Sequence, residues 1–422
     1  MTIPYYHAID VPLWQRSGFR MNQPQTTTPQ QADHAGISSG LITLLAVSCG
    51  LIVANIYYAQ PLIGPISAAL GLPVSAAGLI VTMTQIGYGA GLILVVPLGD
   101  LFENQRLTLV MVGLAAVSLL AAAFAPAPLP FLTAALFIGI GSVAVQILVP
   151  YAAHLAPEAS RGRVVGNVMS GLMLGVMLAR PVSSFITALS SWHVVFVLSA
   201  LAMVMLGLVL RSKLPQRQPA HALSYAELLS SMAHLALNTP ILRRRALYQA
   251  CMFGTFSVFW TTSPLLLAGP YQLTQRGIAL FALAGVAGAI AAPIAGRVAD
   301  QGWSRPATAI AMILAAVAWL LTHLAPQGSA LALGLLVVAA IMIDFGVQAN
   351  VVLGQRAIFA LGAHARSRLN GLYMATFFAA GAITSALGGW AYAHGGWIWA
   401  SALGLALPVV ALVYFATEKG GE

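Results

Sequence analysis

The segment VAAIMIDFGVQANVVLGQ, residues 338–355, sets one carboxylate, Asp344, into apolar sequence. From Ala330 to Ile343 there is no charge, and Gln348, Asn350 and Gln355 follow the aspartate among further apolar residues. In hydrocarbon a carboxylate costs roughly 2.5–3.5 kcal/mol even on the lenient insertion scale. It therefore persists where it meets a cavity or a partner. There it can carry a proton or balance a cationic solute; the alternative is a structural carboxylate bonded to neighbouring helices. Gln348, one helical turn on, shares its face. Arg180 is the other clear charge in an apolar run. It is a candidate for proton coupling or for attracting an anion, and equally for snorkelling to an interface. Asn55, Tyr57, Tyr58 and Gln60 cluster in a third run, with Asn55 and Tyr58 on one face. Rings beside amides suit an amphipathic organic ligand. They suit helix–helix hydrogen bonds or an interfacial tyrosine belt equally well. Gln146 and Trp260 are further candidate cavity walls.

These residues need a scaffold whose solvent is lipid. The chain has 422 residues, 59% of them hydrophobic and 7% charged, with a mean hydropathy of +0.87. Soluble domains are about a quarter charged, so the sequence predicts an all-α integral membrane protein. Apolar runs long enough to span occur at 40–63, 76–98, 106–125, 129–152, 164–188, 193–212, 246–268, 277–297, 305–325, 329–353, 367–390 and 396–416. These are twelve expected transmembrane helices. Residues 1–37 contain a Pro- and Gln-rich run and no apolar stretch of signal-peptide length, so a disordered cytoplasmic tail is expected, with Met21 as an alternative start. With the N-terminus inside, all 19 Lys and Arg residues except Arg276 and Arg180 fall on the inner side or in its tails. The net charge of +9 is thereby explained by topology, not by nucleic acid. Counting helical rise from the expected inner ends puts Arg180 about 24 Å deep and Asp344 about 14 Å deep. That offset speaks against an ion pair between them.

The longest internal polar stretch divides the chain into an N-terminal half at 38–212, a cytoplasmic linker at 213–245 and a C-terminal half at 246–416, with a short tail at 417–422. The halves echo one another. YYAQP ending at Pro61 is similar to WTTSP ending at Pro264, and PLGD ending at Asp100 to RVAD ending at Asp300. Repeated segments at a near-constant offset imply duplication, and parallel six-helix repeats are a transporter plan. Neither a phosphate-binding loop nor a nucleophile–base set is present. The expectation is a non-enzyme without cofactor, driven by a proton gradient.

GRVADQGWSR, residues 296–305, resembles the loop signature of the major facilitator superfamily through Gly296, Ala299, Asp300 and Arg305. The first-half copy, VPLGDLFENQR, keeps Asp100 and has Arg106 displaced by one position. PEASRGRVVG (157–166) is similar to the family's loop between spans 4 and 5, and SWHVVF (191–196) to its entry into span 6. GNVMSGLMLGVMLARPVSS (166–184) resembles the glycine-spaced signature of the drug:proton antiporter branch, with Ala179-Arg180-Pro181 in place of a Gly-Pro pair. The resemblance covers roughly 38–416. It implies two pseudo-symmetric six-helix halves around a central cavity, gating by Asp100, Arg106, Gly296, Asp300 and Arg305, and proton-coupled export of small organic molecules. It further implies a monomer in the bacterial inner membrane with both termini cytoplasmic. A metabolite exporter, a proton-coupled importer, or a receptor or scaffold that has kept the fold are the alternatives.

Overall fold

The computed structural model describes residues 38–218, 224–362 and 366–418. The tail expected to be disordered, 1–37, lies outside the described residues, as does Lys419. Among the described residues the chain is helical almost throughout, with no strand. In chain order the helices are α1 Ser39–Ala54, α2 Ile63–Leu70, α3 Leu79–Leu94, α4 Asn104–Ala123, α5 Pro128–Ser142, α6 Ala144–Leu155, α7 Arg161–Leu189 and α8 Trp192–Lys213. Then follow α9 Tyr225–Asn238, α10 Pro240–Ala268, α11 Gln275–Ala282, α12 Ala291–Asp300, α13 Ser304–Leu321, α14 Ala330–Phe359 and α15 Arg366–Ala416.

Ten helical stretches among the described residues are long and apolar enough to cross a membrane. One of them, α15, has 51 residues, about 77 Å at helical rise against a hydrocarbon core of about 30 Å. It breaks at Gly396, where φ is 59° and ψ is −150°, a conformation essentially reserved for glycine. Dividing α15 there and counting the shorter apolar α1 gives twelve segments.

Local sequence explains several boundaries. Ser38 caps α1 and Ser329 caps α14, each hydroxyl accepting a backbone N–H from the first turn. Glu103 caps α4 by accepting from the backbone of Gln105 and Arg106 at 2.8 Å each. The first expected span is broken near its middle. Its α-helix stops at Ala54, and the polar cluster at 55–60 runs through turns into the 3-10 segment Gln60–Leu62, where Pro61 has no N–H to continue the ladder. The linker holds a helix that its polar sequence did not announce, α9, opened by a reciprocal capping box between Ser224 and Glu227. The backbone N–H and hydroxyl of Ser224 hold the Glu227 carboxyl below its ordinary range. The Tyr225 hydroxyl donates to the Leu94 carbonyl at 2.8 Å and Arg368 donates to Ser231, so α9 lies against the ends of both α3 and α15.

Helices α1 to α8 pack among themselves, as do α10 to α15, and the two groups meet along α3 with α15 and α7 with α11. At the end of the molecule away from most arginines this seam is tight. Thr82 donates to the Ala382 carbonyl at 2.9 Å, Ser385 to the Gly78 carbonyl at 3.2 Å, and Ser184 to the Gln275 side chain at 2.8 Å. A Cβ on Gly78 would stand 2.2 Å from the Ser385 carbonyl oxygen, so only glycine allows that approach. Toward the arginine-rich end α3 and α15 stay close, a Cβ on Gly371 lying 3.8 Å from the Leu92 carbonyl oxygen, while the start of α7 stands clear. Gly162 and Gly166 lie within about 40° of Arg180 around α7, yet Arg180 is packed, while a Cβ on either glycine would meet nothing within 4 Å.

Replacing Gly396 with alanine forces an L side chain into its conformation and is expected to cost about 1–3 kcal/mol. A melting midpoint lowered in detergent would bear this out, and an unchanged one would contradict the backbone geometry.

Candidate functional site

The tight part of the seam is built on a buried charge pair. Arg180, from α7, is 2% exposed and Asp344, from α14, is 4% exposed. Their closest atoms, Nη1 and Oδ2, stand 3.7 Å apart, so the contact is an ion pair and not a hydrogen bond. This corrects the expectation drawn from depth. The tenth expected span ended at 353, but α14 continues to Phe359. The added residues raise Asp344 to about 22 Å from that end, against about 28 Å for Arg180 from the start of α7. The length of the arginine side chain covers the remainder.

Each charge is held by neutral neighbours from other helices. The Asp344 Oδ1 accepts from the Trp260 indole N–H at 3.1 Å, and Arg180 Nε donates to Gln60 Oε1 at 2.9 Å. The guanidinium carbon lies 4.1 Å from the Trp260 ring centre, 4.9 Å from that of Phe256 and 5.5 Å from that of Tyr57. A flat, weakly hydrated guanidinium suits such stacking where an ammonium would not. Two polar atoms of this site have no hydrogen-bond partner among the described residues: Asp344 Oδ2 and Gln60 Nε2. Buried polar atoms are hydrogen-bonded in the great majority of cases; Asp344 Oδ2 meets only the Arg180 charge, which leaves it capacity for a proton or a polar ligand group.

The other wall is the segment between α11 and α12, Leu283–Ile290, wound as a 3-10 helix. Three residues per turn bring positions three apart into line, which stacks Gly285 over Gly288 against Asp344. A Cβ on Gly285 would come within 2.7 Å of both Arg180 Nη1 and Asp344 Oδ2, and one on Gly288 within 2.9 Å of the Asp344 Cβ. The pair thus draws on five of the expected spans: 1, 5, 7, 8 and 10.

Of the candidates from sequence, Tyr57, Gln60, Arg180, Trp260 and Asp344 come together here. Gln348 lies half-buried one turn along α14. Asn55 is elsewhere: its Oδ1 accepts from Ser199 at 2.5 Å and its amide points to the Met203 sulfur at 3.4 Å, tying α1's end to α8. Tyr58 lines a surface groove of about 560 Å³ between α1 and α7. Gln146 donates to the Tyr88 hydroxyl at 2.9 Å. The loop-signature residues sit at the arginine-rich end. Asp300 pairs with Arg356, which also donates to the Gly296 carbonyl at 2.9 Å, and Arg305 donates to the Glu418 carbonyl at 2.6 Å. These contacts stay within the second group of helices. Arg106 is exposed and 3.8 Å from Glu103; Asp100 is exposed and faces the charges of Arg368 and Arg217. Sequence reasoning missed Phe256, Gly285 and Gly288. Phe256 was legible as the residue one turn before Trp260 on its face, and the glycines as a three-residue repeat in LAGVAG. Among the described residues no three His, Cys, Asp or Glu side chains stand close enough to hold a metal.

The sequence profile described as Major Facilitator Superfamily matches residues 43–358 and 245–421. A protein of Escherichia coli O157:H7 described as "Uncharacterized transporter YgaY" is 39% identical over 378 residues, covering 89% of this chain and 95% of that one. One of Streptomyces coelicolor, "Probable transporter SCO4007", is 33% identical over 84% of this chain and 82% of its own. Among solved structures, the nucleoside transporter NupG superposes with a TM-score of 0.69 at 11% identity, over 90% of this chain and all of that one. The human organic anion transporter MFSD10 superposes with 0.63 at 17% identity, over 89% and 98%. Both show a shared fold.

Removing one member of a buried pair strands the other charge and costs about 3–5 kcal/mol, whereas removing both does not. Asp344→Ala and Arg180→Ala are each expected to lower stability by about that much, and the double variant to regain most of it. Additive losses in a thermal-melt cycle would show that the two charges are not coupled.

Proposed function

Because the chain belongs to the Major Facilitator Superfamily, we propose that this transporter is proton-coupled and exports small organic molecules by alternating access, with Asp344 as the coupling group. The observation that carries the reading is the buried Arg180–Asp344 pair, which crosses from one helical group to the other beside a carboxylate oxygen that has no hydrogen-bond partner. In the described state the arginine-poor end is closed over the pair. With the arginine-rich end facing the cytoplasm of an inner-membrane protein, the closed end is the outer one in this reading.

Charge on Asp344 supports this state, because the carboxylate attracts Arg180 across the seam. A proton or a substrate group that takes over the carboxylate removes that attraction. It therefore favours separation at the arginine-poor end by its differential interaction with the two states. Proton and substrate then compete for one group and alternate on it. Proton entry from outside and its release inside drive export, so the energy source is the proton gradient and no cofactor is required. Gln60 and Trp260 orient the two charges, and Gly285 with Gly288 lets span 8 seal them from lipid. A monomer contains every part of this site. Arg180 also supports a second reading, transport of an anion, since its Nη1 is not hydrogen-bonded to Asp344.

Substrate-triggered proton movement in energised inside-out vesicles separates these readings. A panel of cationic, neutral and anionic compounds is run on wild type and Asp344→Asn at matched expression. A response in wild type that disappears in Asp344→Asn is expected. An equal response in both would remove Asp344 from the coupling role, and a response to anions alone that is lost in Arg180→Gln would favour the second reading.

A further inference from the structure

A recess of about 830 Å³ opens at the arginine-rich end, between α9, the start of α10, and the ends of α14 and α15. Three consecutive arginines of α10, Arg243, Arg244 and Arg245, line it, and Glu418 is the one acidic residue in its wall. Consecutive helical residues are 100° apart, so the three guanidiniums fan around the helix start. Their charges are unequally compensated. Arg245 lies 3.4 Å from Glu418. Arg244 donates to neutral acceptors, the Tyr248 hydroxyl at 3.2 Å and the Tyr414 carbonyl and Thr417 hydroxyl at 3.3 Å, and stacks 4.7 Å from the Tyr414 ring. Arg243 is exposed, with no partner among the described residues. Arg243 thus faces the recess without a counter-charge, and Arg244 beside it hydrogen-bonds only to neutral groups, so the one carboxylate, Glu418, is shared among three guanidiniums.

The rest of the lining is chiefly apolar, including Leu242, Leu247 and Leu372. Leu247 is 43% exposed, and Leu237, on the neighbouring α9, 70%. A soluble anion would use the arginines and gain nothing from these leucines; a lipid uses both. The recess also stands where a membrane-spanning helix begins, at the level of lipid headgroups. Basic pockets at that level and on that side are suited to anionic headgroups. We propose that this recess binds the phosphodiester headgroup of an anionic phospholipid, with Arg243 and Arg244 on the phosphate and an acyl chain along Leu247. The site is separate from the Arg180–Asp344 pair and holds whatever the transported molecule is. Its occupant would bear on the ends of α10, α14 and α15 together, next to the Arg245–Glu418 and Arg305–Glu418 contacts that fix the chain's last described residues.

The full-length protein, purified in a neutral detergent, is titrated with short-chain phosphatidylglycerol, phosphatidylcholine or glycerol phosphate, and its melting midpoint is followed. Phosphatidylglycerol alone is expected to raise the midpoint saturably. Arg243→Gln, whose side chain makes no internal contact, is expected to weaken that response about fivefold, and Arg243→Gln/Arg244→Gln further. Arg211→Gln, an exposed arginine at the same end, is expected to leave it unchanged. Equal responses in wild type and Arg243→Gln would overturn the site. Equal protection by glycerol phosphate would overturn the lipid as its occupant. Should the double variant fail to fold, the single variant still decides.

Discussion

A guanidinium and a carboxylate buried side by side in a membrane protein constrain everything around them. Neither is tolerable alone in hydrocarbon, and together they are tolerable only if shielded and oriented. The structure meets both demands by recruiting residues from five spans. Trp260 supplies a donor to one charge and a face to the other, Gln60 supplies an acceptor, and two glycines bring span 8 close enough to exclude lipid. Since Arg180 belongs to the first helical group and Asp344 to the second, the shielding of the pair and the closure of the arginine-poor end are one arrangement.

That coupling gives the closed end a chemical control. The seam there also carries neutral hydrogen bonds, Thr82 to Ala382, Ser385 to Gly78 and Ser184 to Gln275, none of which changes with protonation. The ion pair does change. At the opposite end Asp300–Arg356 and the contacts to Glu418 brace the second group internally, and α9 joins the ends of α3 and α15 through Tyr225 and Ser231. In the proposed cycle such a switch is what biases the rocking of the two halves.

Much of the fold was legible because lipid imposes a simple rule: a run of about 20 apolar residues reads as a helix, and Lys and Arg mark one side. Asp344 and Arg180 stood out for the same reason, as charges where charge is costly. What the sequence did not reveal is depth and partnership. Six residues in the end of α14, Phe359 against an expected 353, shift the depth of Asp344 by about 9 Å, the difference between apart and adjacent. Asn55 and Gln60 are both amides in one short segment. Only the break at Pro61 and the packing of α8 decide that Asn55 bonds to Ser199 on α8 while Gln60 reaches Arg180 on α7. The 3-10 winding of Leu283–Ile290, on which the alignment of Gly285 and Gly288 depends, has no signature in a run of small apolar residues. Helix α9 was hidden by the polarity of its linker, though its Ser-x-x-Glu cap was there to be found.

The central claim is that charge on Asp344 holds the arginine-poor end shut. The most direct measurement is the distance between spin labels at Leu189 and Leu280, exposed positions on α7 and α11, in lipid nanodiscs with and without Asp344→Asn. The native Cys49 and Cys251 are buried and would be replaced to keep labelling specific. The account predicts a longer-distance population in Asp344→Asn, and its growth on acidification in the wild-type background alone. An identical distance distribution in both proteins across the pH range would contradict it.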